Sequence, residues 1–126
     1  MAKQAIHTND APQPIGIYSQ AVRAGNALYL SGQIGLDPRT MQLVDGIDAQ
    51  IHQVFLNLRA VVAAAGASLD DAVKFTVFLT DMTDFPRVNE IMAGYVGQPY
   101  AARSAVAAAG LPRGALVEIE AILVTS

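Results

Sequence analysis

The sequence predicts an α+β fold, a mixed β-sheet with two helices packed on one of its faces. Three observations lead there. Residues 48–65 and 84–95 carry apolar side chains at helical spacing. Several short stretches, most clearly "AVKFTVFLT" and "LVEIEAILV", alternate at the period of a strand. Along the chain these stretches follow one another as β-β-(β)-α-β-α-β-β, an order that lays two helices against one layer of strands.

Each element has its own signal. Residues 1–17 carry Asn9, Asp10, Pro12, Pro14 and Gly16 without periodicity, which predicts an irregular N-terminal segment. "AVRAG" and "NALYLSG" read as two strands of a hairpin turning at Gly25 and Asn26. "DPRT", residues 37–40, has the Asp-Pro start of a type I turn and leads into a short extended piece, "MQLV". Ile51, Val54, Phe55, Leu58, Val61, Val62 and Ala65 form one stripe of the first helix, with Asp45 or Asp48 as its cap and Gly66 as its stop. In the next strand Val73, Phe75, Val77 and Leu79 share one face, and Lys74, Thr76 and Phe78 the other. The second helix starts at a Thr83 or Asp84 cap, takes Pro86 into its first turn and aligns Phe85, Val88, Met92 and Tyr95. "SAVAAA" and "LVEIEAILV" close the chain as strands on either side of the breaker "GLPRGA".

Composition narrows the function classes. The 126 residues suffice for one domain spanning 1–126. Hydrophobic residues make up 52% and charged ones 15%, more apolar than a chain this short needs for a solitary core, so part of the surface is expected to face another subunit. With 8 Lys and Arg against 11 Asp and Glu, and the basic residues scattered singly, the chain lacks the electrostatic footprint of a nucleic-acid or anionic-membrane binder. No cysteine is present, which removes disulfides, thiol nucleophiles and thiolate metal sites. The longest apolar tract, "AVVAAAGA", falls short of the ~18 residues of a membrane span, and no signal-peptide pattern opens the chain, so a cytoplasmic location is expected.

Charges in the apolar terminal strands are the candidate chemistry. The last strand's uncovered face would carry Leu116, Glu118, Glu120, Ile122 and Val124, a patch that association would cover. Glu118 and Glu120 point the same way, roughly 7 Å apart along the strand. Arg103 enters the preceding strand in "YAARSAV". Alone, each charge reads as a wet strand edge or a surface ion pair. Together, a guanidinium can grip a carboxylate bidentately and a glutamate can orient or deprotonate water, which suggests a small anionic ligand with a hydrolysable centre. His7 and His52 are the only histidines and support neither a Ser-His-Asp arrangement nor a metal cluster. "GNALYLSGQIG" lacks both nucleotide-cradle patterns. Tyr18 and Asn89 carry hydrogen-bonding groups that spacing alone does not select.

The motifs "GIYSQAV", "LYLSGQIGLDPRT", "NLRAVVAAAG", "VKFTVFLTDMTDFPRVNEIM", "ARSAV" and "LPRGALVEIEAI" resemble, in order and spacing, the signature of the RidA/YjgF family of reactive intermediate deaminases. The resemblance spans nearly the whole chain. It implies a chorismate-mutase-like protomer, a homotrimer with a central barrel, three sites between subunits, and cofactor-free hydrolysis of enamines and imines such as 2-aminoacrylate to 2-keto acids and ammonia. It implies that Arg103 binds the substrate carboxylate and Glu118 positions the attacking water. Tyr18, Ser31, Gly32 and Asn89 are implied to line the cleft. Ile17 and Ala102 stand where the family usually has proline, Ala105 where many members have cysteine, and Met41 where a turn glycine is common. These departures bear on cleft shape and substrate preference. Two rival functions are an endoribonuclease or translation inhibitor, names attached to relatives of this family, and a non-catalytic keto-acid binder or chaperone-like protein. The acidic balance and the missing histidine pair count against the first.

Overall fold

The computed structural model describes residues 2–126; Met1, where the expected 1–126 domain begins, lies outside the described residues. Six strands form one sheet: β1 (Gln4–Ile6), β2 (Ala21–Ala24), β3 (Ala27–Gln33), β4 (Ala72–Leu79), β5 (Ala102–Ala107) and β6 (Val117–Val124). Their spatial order is β1-β2-β3-β6-β4-β5. All neighbours are antiparallel except β4 and β5, whose parallel pairing requires the crossover that helix α2 (Phe85–Met92) supplies. Helix α1 (Ile47–Ala64) joins β3 to β4.

Both helices press on one sheet face, and the main core lies between, with a small second cluster of Ile34, Leu36 and Ala115 beside it. Its sheet side is Leu28 and Leu30 of β3, Phe75, Val77 and Leu79 of β4, and Val117, Ile119 and Leu123 of β6. The stripe expected on α1 meets it: Ile51, Val54, Phe55, Leu58 and Val61 are fully buried. Phe55 meets Phe75 edge-on at 6.4 Å. On α2, Val88, Ile91 and Met92 are buried, while Tyr95 lies beyond the helix end and stacks on Phe55 at 5.1 Å.

Helix ends follow local chemistry with two corrections. Gly66 stops α1 as expected. At φ 74° it lets its own N–H reach Ala63 O and the Ala67 N–H reach Val62 O, which satisfies two carbonyls of the last turn. Arg23 adds a guanidinium donor to Ala65 O at the same negative end of the helix dipole. At the start, neither Asp45 nor Asp48 caps α1; Gly46 occupies the cap position without a side-chain bond, and Asp48 sits inside the first turn paired with Arg87. Before α2, the side-chain cap belongs to Asp81, which accepts from Thr83 N ahead of a short 3-10 turn; Asp84 holds the α2 cap position with no side-chain bond.

Three further departures concern strands. β1 forms inside the N-terminal segment expected to be irregular, because three residues suffice to pair with β2 but not to show a period. "MQLV" supplies only the single bridge Leu36 to Leu43, and Met41 bends the chain there at φ 58°. In β4, Val73 is exposed instead of joining Phe75, since an irregularity in register between Ala72 and Lys74 takes it out of the alternation.

Among the described residues the opposite sheet face carries no helix. Tyr29, Val106 and Val124 stand 50%, 45% and 49% exposed on it, next to Ile122 and the polar row Lys74, Thr76 and Glu120. Among the described residues no helix is long and apolar enough to cross a membrane.

Candidate active site

Register decides where the two site charges point. Arg103 is paired with Phe75 in the parallel β4–β5 ladder, and Glu118 with Phe78 in the antiparallel β4–β6 ladder. Phe75 faces the helices and Phe78 faces away, so Arg103 and Glu118 leave the sheet on opposite sides. Two strand spacings and three residues of rise set their Cα atoms roughly 14 Å apart. Of the two charges only Glu118 therefore lies on the uncovered face, because β5 carries Arg103 on its helix-facing row.

Arg103 lies in a groove of about 390 Å³ between α2, the following loop and β5, lined also by Asn89, Met92, Val96 and Tyr100. Its Nη1 reaches Met92 Sδ at 3.6 Å, and its guanidinium carbon sits 4.9 Å from the centre of the Phe85 ring. The ring's negative face and the soft sulfur hold the cation without neutralising it. Among the described residues no carboxylate pairs with Arg103, whereas Arg39 and Arg87 both have acidic partners. The guanidinium fork is free for an anion.

Glu118 lies in a narrower cleft, about 40 Å³, walled by Pro12, Gln13, Tyr18, Gly32 and Gln33. Here β3 loses register with β6 between Leu30 and Gln33, and Ser31 and Gly32 form the irregularity. A β-carbon on Gly32 would lie 2.6 Å from Glu118 Oε2 and 2.9 Å from its Cδ, so glycine is what lets the carboxylate lie over the strand backbone. Ser31 is turned away from the carboxylate: its Oγ donates to Ser19 O at 2.7 Å. Tyr18 is half exposed, and its hydroxyl accepts from Ile15 N at 3.2 Å. Burial pushes the Glu118 carboxyl above its ordinary value, and the like charge of Glu120 pushes it further in the same direction. No described cation pairs with it. A half-buried carboxylate of raised basicity, unanswered by a cation, is a competent proton acceptor.

The six candidate residues thus divide. Arg103 and Asn89 line one depression; Tyr18, Gly32 and Glu118 line the other, with Ser31 bracing its wall. The histidines stay apart: His7 bonds Gln13 and His52 bonds Tyr95. Among the described residues no cluster of three or more His, Asp or Glu could hold a metal. Sequence reasoning passed over Met92, Phe85 and Tyr100 as core or loop residues; only the crossover geometry brings them to Arg103.

Sheet order, helix placement and these two clefts define a small α+β protein with a ligand-sized groove at an open sheet edge and a much smaller cleft at a strand irregularity. The chain belongs to the RidA/YjgF family: the family model described as Endoribonuclease L-PSP matches residues 8–125. The chain is 50% identical over 123 residues to the 2-iminobutanoate/2-iminopropanoate deaminase of Dermatophagoides farinae, covering 97% of this chain and 96% of that one. A RutC family protein of Pyrococcus horikoshii is 50% identical over 121 residues, covering 95% and 96%. The crystal structure of RidA from an Antarctic Psychrobacter superposes with a TM-score of 0.95 at 52% identity, covering 97% of this chain and 99% of that one.

Proposed function

We propose that the protein hydrolyses small 2-imino acids, and the enamines in equilibrium with them, to 2-keto acids and ammonia, without a cofactor. The observation that carries the proposal is the pair of complementary, unpartnered charges, Arg103 and Glu118, each in its own depression. Arg103 holds the substrate carboxylate through two charge-assisted hydrogen bonds. Glu118 takes a proton from water as the oxygen attacks the imine carbon. The resulting tetrahedral adduct receives that proton back on nitrogen to give the carbinolamine, whose hydroxyl proton then passes by way of the same carboxylate to the nitrogen as the C–N bond breaks, so that ammonia leaves and the 2-keto acid remains. Asn89 and Tyr18 border the substrate from the two sides. The deaminase name of the Dermatophagoides relative at 50% identity supports the same reaction.

A substrate only a few ångströms long cannot touch both charges within one chain, given their separation and opposite faces. The site is completed between copies: the Arg103 groove of one subunit meets the Glu118 cleft of the next. Such a contact joins two different patches, and it closes into a ring when the rotation allows. A homotrimer satisfies this and covers the apolar face that bears Tyr29, Ile122 and Val124. The endoribonuclease activity in the family description receives less support, since His7 and His52 are engaged at separate places and acidic groups outnumber basic ones. The deciding measurement is release of keto acid and ammonia from freshly generated 2-aminoacrylate with and without the purified protein. Acceleration is expected; the spontaneous rate in both would defeat the proposal.

A further inference from the structure

We propose that Gln20 is a positioning residue for the Glu118 half of the site, holding the strap of residues 8–18 against the β3 irregularity. The inference rests on the hydrolytic reading above. Between Ile6 and Ala21 the chain has no helix or strand, yet Pro12, Gln13, Ile15 and Tyr18 of this strap wall the Glu118 cleft. Irregular segments of this length are fixed by particular contacts or not at all.

Gln20 supplies those contacts. Its side chain is 1% exposed, between the strap and the sheet. Oε1 accepts from Thr8 N at 2.7 Å, while Nε2 donates to Thr8 O at 3.0 Å and Pro12 O at 2.9 Å. On its other side, Gln20 O accepts from Ser31 N at 3.0 Å and the preceding Ser19 O accepts from Ser31 Oγ. One dipeptide therefore bridges the strap to Ser31, which is bonded in sequence to Gly32 beneath the Glu118 carboxylate. Only a side-chain amide of this length presents an acceptor and two donors together; a carboxylate would face Thr8 O and Pro12 O with no donor. Loss of the amide leaves the buried Pro12 O and the part-buried Thr8 N unpaired and Thr8 O with only the 3.5 Å bond from Gln13 Nε2, which frees the strap and the backbone under Glu118 to shift.

Gln20→Met keeps the shape without the bonds, and Gln20→Glu keeps the acceptor and regains one O–H donor only when protonated. Imine hydrolysis by Gln20→Met is expected to show kcat lowered about tenfold or more, with keto-acid affinity, which depends on Arg103, changed by no more than about twofold. In a Glu118→Gln background, Gln20→Met should cost no further turnover, because there is no carboxylate left to position. Val61→Ala, a cavity in α1 away from both clefts, controls for stability alone. Additive losses with Glu118→Gln, or an equal fall in kcat for a Val61→Ala protein of matched melting temperature, overturn the assignment. If Gln20→Met fails to fold, the ratio of Gln20→Glu to wild-type kcat should rise as pH falls; a flat ratio overturns the assignment equally. Should wild-type protein hydrolyse no imine, the functional reading fails by itself. Hydrogen exchange at Thr8 N, slow in wild type and fast in either Gln20 variant but not in Val61→Ala, then decides whether Gln20 holds the strap.

Discussion

The Arg103 groove and the Glu118 cleft solve opposite electrostatic problems. In the groove a cation that never loses its charge is laid against a ring face and a sulfur, contacts that orient it and leave its remaining hydrogen-bond donors free. In the cleft a titratable group, Glu118, is half buried beside a like charge, and its carboxyl is pushed up. The groove has about ten times the volume of the cleft, 390 against 40 Å³. The difference teaches what the proposed reaction requires: a division of labour in which one patch would bind and the other would move a proton, each needing its counterpart.

Glu118→Gln should break the chemical half most severely. Turnover is expected to fall by a factor on the order of 100 to 10,000, while calorimetric affinity for a 2-keto acid stays near wild type. Arg103→Lys should do the reverse, keeping the charge but losing the planar fork, with affinity and kcat/KM both down roughly 10- to 100-fold. Unchanged activity in either variant would dissolve the division. Glu118→Gln also has a stability signature. A carboxyl whose folded pKa lies above its unfolded value stabilises the fold at low pH and loses that contribution as pH rises through the folded value. The variant should therefore melt higher relative to wild type at neutral than at acidic pH.

Mixing tests whether the halves belong to different chains. Glu118→Gln and Arg103→Ala proteins, each inactive alone, are unfolded together and reassembled. With random association about a quarter of the contacts between copies join an intact Arg103 groove to an intact Glu118 cleft, so activity near that fraction should return. No recovery from a properly assembled mixture would confine the site to single chains.

Gly32→Ala probes the cleft with a smaller insult. Its new methyl would displace the far end of the Glu118 side chain rather than backbone, so melting should change little while kcat falls about tenfold or more and keto-acid affinity holds. Wild-type kcat in Gly32→Ala would show that the carboxylate does not act from over that strand.

Much of this arrangement was legible in the sequence, and the exceptions have physical causes. Alternation in "VEIEAILV" placed Glu118 and Glu120 on the face away from the core, because Ile119, Ala121 and Leu123 between them are apolar and buried. The seven apolar residues of the first stripe and Gly66 located α1 to within a residue at each end. "ARSAVA" offers no such contrast. Its side chains are small and mostly exposed, so nothing local says which way Arg103 points; the parallel register with β4, set by the α2 crossover, decides it. The strap was equally opaque, since Gln20 meets Thr8 and Pro12 through chain folding that no period announces. Ile17, one of the departures from the family pattern, is fully exposed in the protomer, and nothing within the chain explains it.

Glu120→Gln should give the smallest effect and the sharpest reading of the cleft's electrostatics. Glu120 lies two residues along β6 from Glu118 on the same face, is exposed, and is paired in register with Thr76 rather than with a cation. Its charge is the lesser of the two influences raising the Glu118 carboxyl, burial being the greater. Removing it should lower the Glu118 pKa part of the way toward the ordinary carboxylate value and leave the burial contribution in place. Since the ionised form accepts the proton, the acid limb of the kcat/KM profile should move to lower pH, with the plateau at higher pH lowered slightly at most by the weaker base. A limb that stays fixed would mean that the proton acceptor is not Glu118. A shift to higher pH would mean that Glu120 acts by hydrogen bonding rather than by charge. Either result would remove the electrostatic contrast between the two halves, even if Arg103 continued to bind keto acids as expected.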